Sequence, residues 1–319
     1  MASKQNFLKQ WLLSALKLLV AAGLITWLIL SGKLDLQSLK KINHWSAWFF
    51  GSGLFLLGLL FNSLRWQMLL QVDGVEISFK EALKLSLIGI FFNFVVPGGV
   101  GGDVVKGGYL FKSFTKKKMF ISWSILVDRL MGLAAMLTYS GVAGMLFYQH
   151  LKPSLQNSFF TFSLFFLLGL VFTAIVVAFV PKQGIEDFLL KHPISEKFLY
   201  PLFFFIKKPS KIVIPFFLSF GGQAMMVAIV YGLGLYLHVD IPWWYFLILV
   251  PYGFIATILP ISPAGLGVGQ MAFYYLFQQT LEQGEFGILA ITFYQASQFI
   301  VGLGGGLLFV LYKKEVSDG

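Results

Sequence analysis

The sequence has no cysteine and few charged residues. Of its 319 residues, 12% are Asp, Glu, Lys or Arg, where a soluble domain has about a quarter. Without cysteine, the chain can form no disulfide, no thiolate metal site and no cysteine nucleophile. None of the four histidines lies at metal-ligand spacing from another, and no nucleophile and base pair is visible. We therefore predict no cofactor and no metal, and the sequence argues against an enzyme.

Hydrophobic residues make up 57% of the chain, and many stand in long apolar runs. About twenty such residues are needed to cross a bilayer as a helix, so the chain is predicted to be an integral membrane protein. The predicted full spans are 11–30, 46–70, 119–148, 159–180, 212–237 and 286–312. The net charge of +10 does not point to nucleic acid, because most Lys and Arg residues lie between these spans.

Residues 93–106 interrupt the apolar pattern with one proline and four glycines. Proline lacks an amide hydrogen and glycine loses the most backbone freedom, so the helix must break there. A broken segment survives at membrane depth only where protein or a water-filled cavity covers it. The short apolar arms on either side predict a re-entrant hairpin over 85–111, preceded by a polar, amphipathic connector at 73–84.

A second copy of the break follows in the second half of the chain. Six of fifteen positions are identical when 97–111 is aligned with 263–277, and the same alignment places Arg129 on Gln295. Interrupted apolar segments at matching positions of two halves are typical of transporters with inverted repeats. The predicted fold is an all-α polytopic membrane protein of about six full spans and two re-entrant hairpins. It is one membrane domain whose repeats cover 1–150 and 151–319, with the second hairpin at 243–281 and a basic surface linker at 181–211.

The positive residues predict the orientation. With these spans, seventeen Lys and Arg residues fall on one side of the membrane and four on the other. Positive residues favour the cytoplasm, so both termini are predicted to be cytoplasmic. The first hairpin then enters from the cytoplasm and the second from outside.

Several motifs carry a family resemblance. They are Pro97-Gly-Gly-Val-Gly-Gly-Asp103 with Lys106, Arg65-Trp66, Asp128-Arg129, and Pro260 followed by Pro263, Gly265 and Gly267. In these, the chain resembles the flippase-like transmembrane region of the lysylphosphatidylglycerol synthases. The resemblance implies a multi-pass plasma-membrane protein that moves aminoacylated or other lipids between leaflets. It also implies a separate lipid-modifying enzyme as a partner, since this chain is expected to be the transmembrane part alone.

The sequence departs from the family pattern at two positions. Gln270 stands where the family usually has Glu, and Tyr294-Gln295 where it has a basic residue. Between Lys211 and Glu282 the only formally charged residue is Asp240. The second half therefore offers neutral hydrogen-bonding groups, which argues against a lysyl-lipid substrate.

Polar residues within or beside the membrane segments form the candidate substrate site. Ionisable groups cost about 2.5–3.5 kcal/mol at membrane depth, so each needs a partner or a function. The charged candidates are predicted to line one cavity that faces the cytoplasm. The Gly101 and Gly102 amides are predicted to bind an oxyanion such as a phosphodiester, and the arginines to bind it through two bonds each. The candidates are Arg65, Asn93, Gly101, Gly102, Asp103, Lys106, Asp128, Arg129, Gln270 and Gln295.

Several of these candidates also have a purely structural interpretation. Asp128 with Arg129, and Asp103 with Arg65, could be ion pairs that clamp spans together. Arg65 could anchor the end of its span at the interface. The glutamines Gln223, Gln270, Gln295 and Gln298 could bond across helices without touching a substrate.

Three functions remain open from the sequence. The first is a lipid flippase that moves a phospholipid or lipid-linked head group, either aminoacyl-phospholipid-like or another anionic or zwitterionic lipid, by alternating access. The second is a proton-coupled transporter of a small polar solute, with Asp103 or Asp128 carrying the proton. The third is a membrane-embedded transferase acting on a lipid-linked substrate.

Overall fold

A computed structural model describes residues 40, 42–95, 100–179, 182–191, 193–257 and 263–311. Within these ranges the chain is helical, with short 3₁₀ turns and no strand. The helices are α1 (Trp45–Leu70), α2 (Phe79–Val95), α3 (Gly101–Ser113), α4 (Lys118–Leu146), α5 (Pro153–Phe179), α6 (Lys182–Lys191), α7 (Pro193–Phe198), α8 (Tyr200–Lys207), α9 (Ser210–Tyr236), α10 (Trp243–Thr257), α11 (Val268–Leu281) and α12 (Gly284–Leu311).

Four segments of the described chain are long and apolar enough to cross a membrane. They are Trp45–Asp73, Thr115–Leu146, Ser210–Tyr236 and Gly284–Leu311. They match four of the six predicted spans, and the all-helical membrane fold is confirmed. The predicted span at 11–30 lies outside the described residues. The predicted span at 159–180 falls on α5, in which the shorter segment Ser163–Phe172 is apolar.

Both predicted breaks separate helices in the structure. α2 ends at Val95 and α3 begins at Gly101, while residues 96–99, with Pro97 and two of the glycines, lie outside the described residues. α10 ends at Thr257, a 3₁₀ turn follows at Pro263–Gly265, and α11 begins at Val268. Residues 258–262 are likewise outside the described ranges.

α2 begins earlier than the apolar arm that was expected to start at residue 85. The polar stretch expected at 73–84 already includes the first turns of α2, which begins at Phe79. Here Ser78 accepts a hydrogen bond from the amide of Glu81 at 3.2 Å, as an N-terminal capping residue does. Polarity concealed this start, because the first turns carry Lys80, Glu81 and Lys84.

The long helices of the two halves coincide when the two breaks are aligned. The end of α1 then falls on the end of α9, Leu70 on Tyr236. The start of α4 likewise falls on the start of α12, Lys118 on Gly284. Packing repeats as well, because α2 packs on α12 as α10 packs on α4, and α1 packs on α2 as α9 packs on α10. The bounds of the long helices and their packing neighbours therefore follow the alignment of the two breaks.

α1 and α9, the equivalent helices at the centre, run antiparallel. Near the start of α1, Tyr236 at the end of α9 donates its hydroxyl to Asn43 Oδ1 at 3.2 Å. Near the end of α1, Arg65 Nη1 donates to Ser219 Oγ at 3.0 Å, close to the start of α9. These two contacts, at opposite ends of α1, define the antiparallel arrangement of the two helices.

The basic stretch at 181–211, predicted to be a surface linker, is largely helical. It contains α6, α7 and α8, and Phe203 and Phe205 of α8 are buried. Phe205 stacks on Phe120 of α4 with ring centroids 5.2 Å apart, and Trp123 of α4 donates to the carbonyl of Phe198 at 2.6 Å. The apolar patches in this stretch fix it to the start of α4, and the lysines had hidden the helical pattern.

Candidate functional site

Two polar cavities lie side by side between the broken helices. The first encloses about 220 Å³ and the second about 240 Å³. Residues of both repeats form their shared wall, which consists of Asn62, Asn93, Gly222, Met226, Tyr294 and Gln298. We call the two cavities together the chamber. It lies where α1, α2, α9 and α12 meet.

The first cavity contains the charged residues of the site. Four of the five ionisable candidates, Arg65, Asp103, Lys106 and Asp128, line it. Arg129 is in the lining of neither cavity, so the prediction that all five line one cavity is wrong for this arginine. It acts on the cavity through Asp103, with which it forms an ion pair.

Asp128 and Arg129 pair with different helices, although they are neighbours in sequence. Asp128 Oδ1 accepts from Arg65 Nε of α1 at 2.6 Å. Arg129 Nε donates to Asp103 Oδ2 of α3. Successive helix positions point in different directions, which is why the pairs are not those considered in the clamp interpretation. α4 is thereby joined to both α1 and α3.

The two ion pairs differ in burial. The side chains of Arg65 and Asp128 are 6% and 14% exposed, whereas that of Arg129 is 36% exposed. A buried pair needs further hydrogen bonds to offset its desolvation, and Ser219 Oγ provides one to Arg65. The interpretation of Arg65 as an exposed interface anchor is therefore wrong.

Lys106 has no carboxylate partner within the described part of the chain. Its Nζ lies 4.8 Å from the ring centroid of Trp66, a cation–π arrangement. The aliphatic part of the Lys106 side chain lies where α2 and α3 cross closely. A Cβ added to Gly89 of α2 would lie 3.2 Å from Lys106 Cε. Trp66 and this crossing hold the ammonium at the first cavity.

Asn93 accepts the hydrogen bond of the Gly102 amide, one of the two amides that were predicted to bind an oxyanion. Gly102 N donates to Asn93 Oδ1 at 2.8 Å, so a side chain of α2 caps the start of α3. Gly102 lines the first cavity, but its N–H is already used, and Gly101 lines neither cavity. In this structure Lys106 is therefore better placed than the helix amides to meet an anion.

Gln270 and Gln295 form a neutral pair between α11 and α12, in which Gln295 aligns with Arg129 but Gln270 aligns with Val104. Gln270 Nε2 donates to Gln295 Oε1 at 2.7 Å, and Gln295 is the repeat equivalent of Arg129. Gln295 Nε2 donates to the carbonyl of Ala264 at 3.2 Å. Gln295 lines the second cavity and Gln270 lines neither, so cross-helix bonding describes Gln270 best.

Asn62 lines both cavities and was missed at the sequence level. It lies in α1, and a Cβ added to Gly222 of α9 would lie 2.7 Å from Asn62 Oδ1. Its one signal in the sequence is a neutral amide inside an apolar run, shortly before Arg65. Among the described residues, neither Asn62 nor Gln298 has a protein hydrogen-bond partner at its side-chain amide.

Comparison with known proteins gives one match. The family model described as lysylphosphatidylglycerol synthase TM region matches residues 14–306, which is most of the chain. No curated protein and no solved structure searched matches the chain.

Proposed function

The chain belongs to the family of lysylphosphatidylglycerol synthase transmembrane regions and is an integral membrane protein of lipid metabolism or transport; from this premise we propose that it moves a phospholipid or lipid-linked head group between leaflets by alternating access. The family match confirms the resemblance drawn from the Pro/Gly motifs. In the proposal the chamber holds the head group, while the acyl chains stay in the bilayer.

The observation that carries the proposal is a polar chamber between two broken helices of a membrane protein. Charged and amide groups at such a depth are costly unless they have partners or a task. Here they converge on two adjoining cavities instead of spreading over the helix surfaces. The antiparallel packing of α1 on α9 supports an inverted repeat, the arrangement in which transporters open a central site to alternate sides.

Equivalent residues of the two repeats differ in how far they are exposed, and this difference supports alternating access. In the first repeat, the side chain of Arg129 is 36% exposed, and Leu130 as a whole residue is 54% exposed. Their repeat equivalents, Gln295 and Ala296, are 1% and 7% exposed. We call the contact between α3 and α4 the α3–α4 seam. The residues of α4 at this seam are exposed, whereas the equivalent residues of α12 are buried, so the seam is open and the contact between α11 and α12 is closed. A two-state carrier would exchange these roles as it turns over.

The apolar surroundings of the open seam favour a lipid over a soluble solute. Val104 of α3 is 67% exposed and directly follows Asp103, just as Leu130 follows Arg129. Apolar side chains beside a charged pair suit a substrate with a polar head and hydrocarbon tails. A carrier of small solutes would enclose its site on all sides.

The ion pairs weigh against the proton-coupled alternative. Asp103 and Asp128, the carboxylates that would carry the proton, are both engaged in ion pairs, with Arg129 and Arg65. The transferase alternative has no comparable support, so we propose transport without covalent chemistry. The plasma membrane and cytoplasmic termini remain parts of the proposal.

Reconstitution into vesicles tests the function. Vesicles that contain the protein and a trace of acyl-labelled phospholipid should expose inner-leaflet label to a membrane-impermeant quencher faster than protein-free vesicles. Asp103→Asn and Arg129→Gln should slow this exchange while leaving folded protein in the membrane. Lys152→Gln, which breaks the exposed pair with Glu282, is the matched control and should not slow it. If no phospholipid exchanges while the protein accumulates a soluble solute, the proposal is wrong.

A further inference from the structure

The chamber is charged on one side and neutral on the other. Each charged residue of the site in the first repeat has an uncharged residue at the equivalent position of the second. The positions Arg65, Asp103, Lys106, Asp128 and Arg129 correspond to Tyr231, Gly269, Ala272, Tyr294 and Gln295. The second cavity accordingly has no charged residue in its lining.

The ionisable groups at the first cavity sum to one positive charge when Arg129, which pairs with Asp103 from outside the lining, is counted with them. Arg65 neutralises Asp128, and Arg129 neutralises Asp103. Lys106 lines the same cavity and, in the described ranges, has no carboxylate within ion-pair distance. The indole ring beneath it holds the ammonium without neutralising it. The site therefore presents one uncompensated positive charge to a head group.

The shared wall offers neutral groups that recognise hydroxyls. Asn62 and Gln298 line both cavities, one from each repeat. Each side-chain amide supplies two N–H donors and one acceptor oxygen, and neither amide has a partner among the described residues. A hydroxyl both donates and accepts, so it can satisfy such an amide, whereas an ammonium group can use only its oxygen.

We infer that the transported lipid is anionic and carries an uncharged polyol head group, with its phosphodiester at Lys106 and its hydroxyls at Asn62 and Gln298. This inference rests on the proposed function. A cationic aminoacyl ester fits poorly, because both carboxylates of the first cavity already have arginine partners. A zwitterionic head group would bring a second ammonium close to Lys106.

A head-group panel tests this inference separately from the proposed function. Acyl-labelled phosphatidylglycerol, phosphatidylinositol, phosphatidylethanolamine and lysyl-phosphatidylglycerol are compared in identical vesicles. The two polyol lipids should exchange at least about tenfold faster than the two amine-bearing ones, the factor for about 1.4 kcal/mol. Equal or faster movement of an amine-bearing lipid overturns the inference and leaves the proposed function standing. No movement of any of the four overturns the proposed function itself.

Variants then test the assigned residues. Lys106→Gln should reduce phosphatidylglycerol exchange about tenfold, as expected when a hydrogen bond to a charged group is lost. Lys112→Gln removes an exposed lysine of the same helix and should change nothing. Asn62→Leu should slow phosphatidylinositol more than phosphatidylglycerol, because inositol has more hydroxyls. If Lys106→Gln is folded and keeps both rate and preference, the assignment is wrong.

Binding measured in detergent separates a lipid head group from a free phosphate. Short-chain phosphatidylglycerol should raise the unfolding temperature of the wild type but not of Lys106→Gln. Soluble glycerol phosphate has the same polar groups without the tails and should have little effect at equal concentration. If it stabilises the protein as strongly and is also taken up into vesicles, the chamber serves a solute and the inference is wrong.

Discussion

Arg65 and Asp128 form a buried ion pair between α1 and α4, with Nε 2.6 Å from Oδ1. The same guanidinium donates to Ser219 of α9, so one side chain joins three helices around the chamber. Asp128→Asn would leave a buried arginine without its counter-charge, and breaking such a pair costs about 3–5 kcal/mol. We expect a markedly lower unfolding temperature in detergent.

The matched comparison is the pair of Lys152 and Glu282, whose side chains are 41% and 78% exposed. Lys152→Gln should cost at most about 1 kcal/mol, as exposed pairs do. A similar loss for both variants would mean that the buried pair contributes no more to stability than a surface contact.

Gly102 permits the close crossing of α2 and α3 at the wall of the first cavity. A Cβ there would collide with the carbonyl oxygen of Gly89 and crowd Asn93. Because backbone cannot yield as a side chain can, Gly102→Ala should destabilise by about 1–3 kcal/mol, the usual range for overpacking. Gly108→Ala lies on the same helix with open space around it, and should be neutral or gain up to about 1 kcal/mol. Thermal unfolding of both variants checks this. Equal stability would show that the crossing is looser than described.

Gly305 plays the equivalent part where α12 crosses α2. Its Cβ would collide with the carbonyl oxygen of Leu87, whereas the adjacent Gly304 has nothing within 4 Å of that position. We expect Gly305→Ala to lower both the yield of folded protein and the unfolding temperature, and Gly304→Ala to match the wild type. The loss for Gly305→Ala should reach about 1–3 kcal/mol. If Gly304→Ala and Gly305→Ala behave alike, close packing against α2 is not the reason that glycine stands at position 305.

The surface helices α6 and α8 are linked by ionisable groups that make their docking depend on pH. Hydrogen bonds from Lys207 and then Tyr200 lower the pKa of the Glu186 carboxyl below its ordinary 4.5. The bond to Glu186 raises the pKa of Lys207 above 10.5. The Glu186 contribution is therefore present above pH 4.5 and is lost as the pH falls through the lowered pKa. The Lys207 contribution is present below pH 10.5 and is lost as the pH rises through the raised pKa.

Hydrogen exchange over 182–207, corrected for intrinsic rates, measures this link. Protection should be high near neutral pH, fall in strong acid, and already be low near neutral pH in Glu186→Gln. Glu196→Gln removes an exposed carboxylate of the neighbouring α7 and should keep the wild-type profile. A wild-type profile for Glu186→Gln would contradict the prediction.

Local chemistry made the breaks and the repeat predictable from the sequence. A proline followed by four closely spaced glycines disfavours a helix strongly, so the region around Pro97 could be assigned without knowing its neighbours. A single proline is weaker evidence, since Pro215 and Pro251 lie inside α9 and α10. The partners of Arg65 and Arg129 could not be assigned, because they depend on how α4 crosses α1 and α3. Asn62 was missed for a similar reason, since an isolated amide in an apolar run gains a role only when a second repeat faces it.

The neutral pair Gln270 and Gln295 tests whether the second repeat can hold an ion pair between its two helices, as the first repeat does between α3 and α4. Gln295 is 1% exposed, so Gln295→Arg alone would bury an unpaired charge, at a cost of about 3–5 kcal/mol. Adding Gln270→Glu should recover most of the loss, because Gln270 Nε2 and Gln295 Oε1 are 2.7 Å apart. A double-mutant cycle on unfolding in detergent measures the coupling. Strong coupling would mean that α11 and α12 can carry the same kind of acid–base pair that joins α3 to α4. If the double variant is no more stable than Gln295→Arg, the side chains at 270 and 295 are not close enough to form an ion pair, and the contact between Gln270 and Gln295 is wrong.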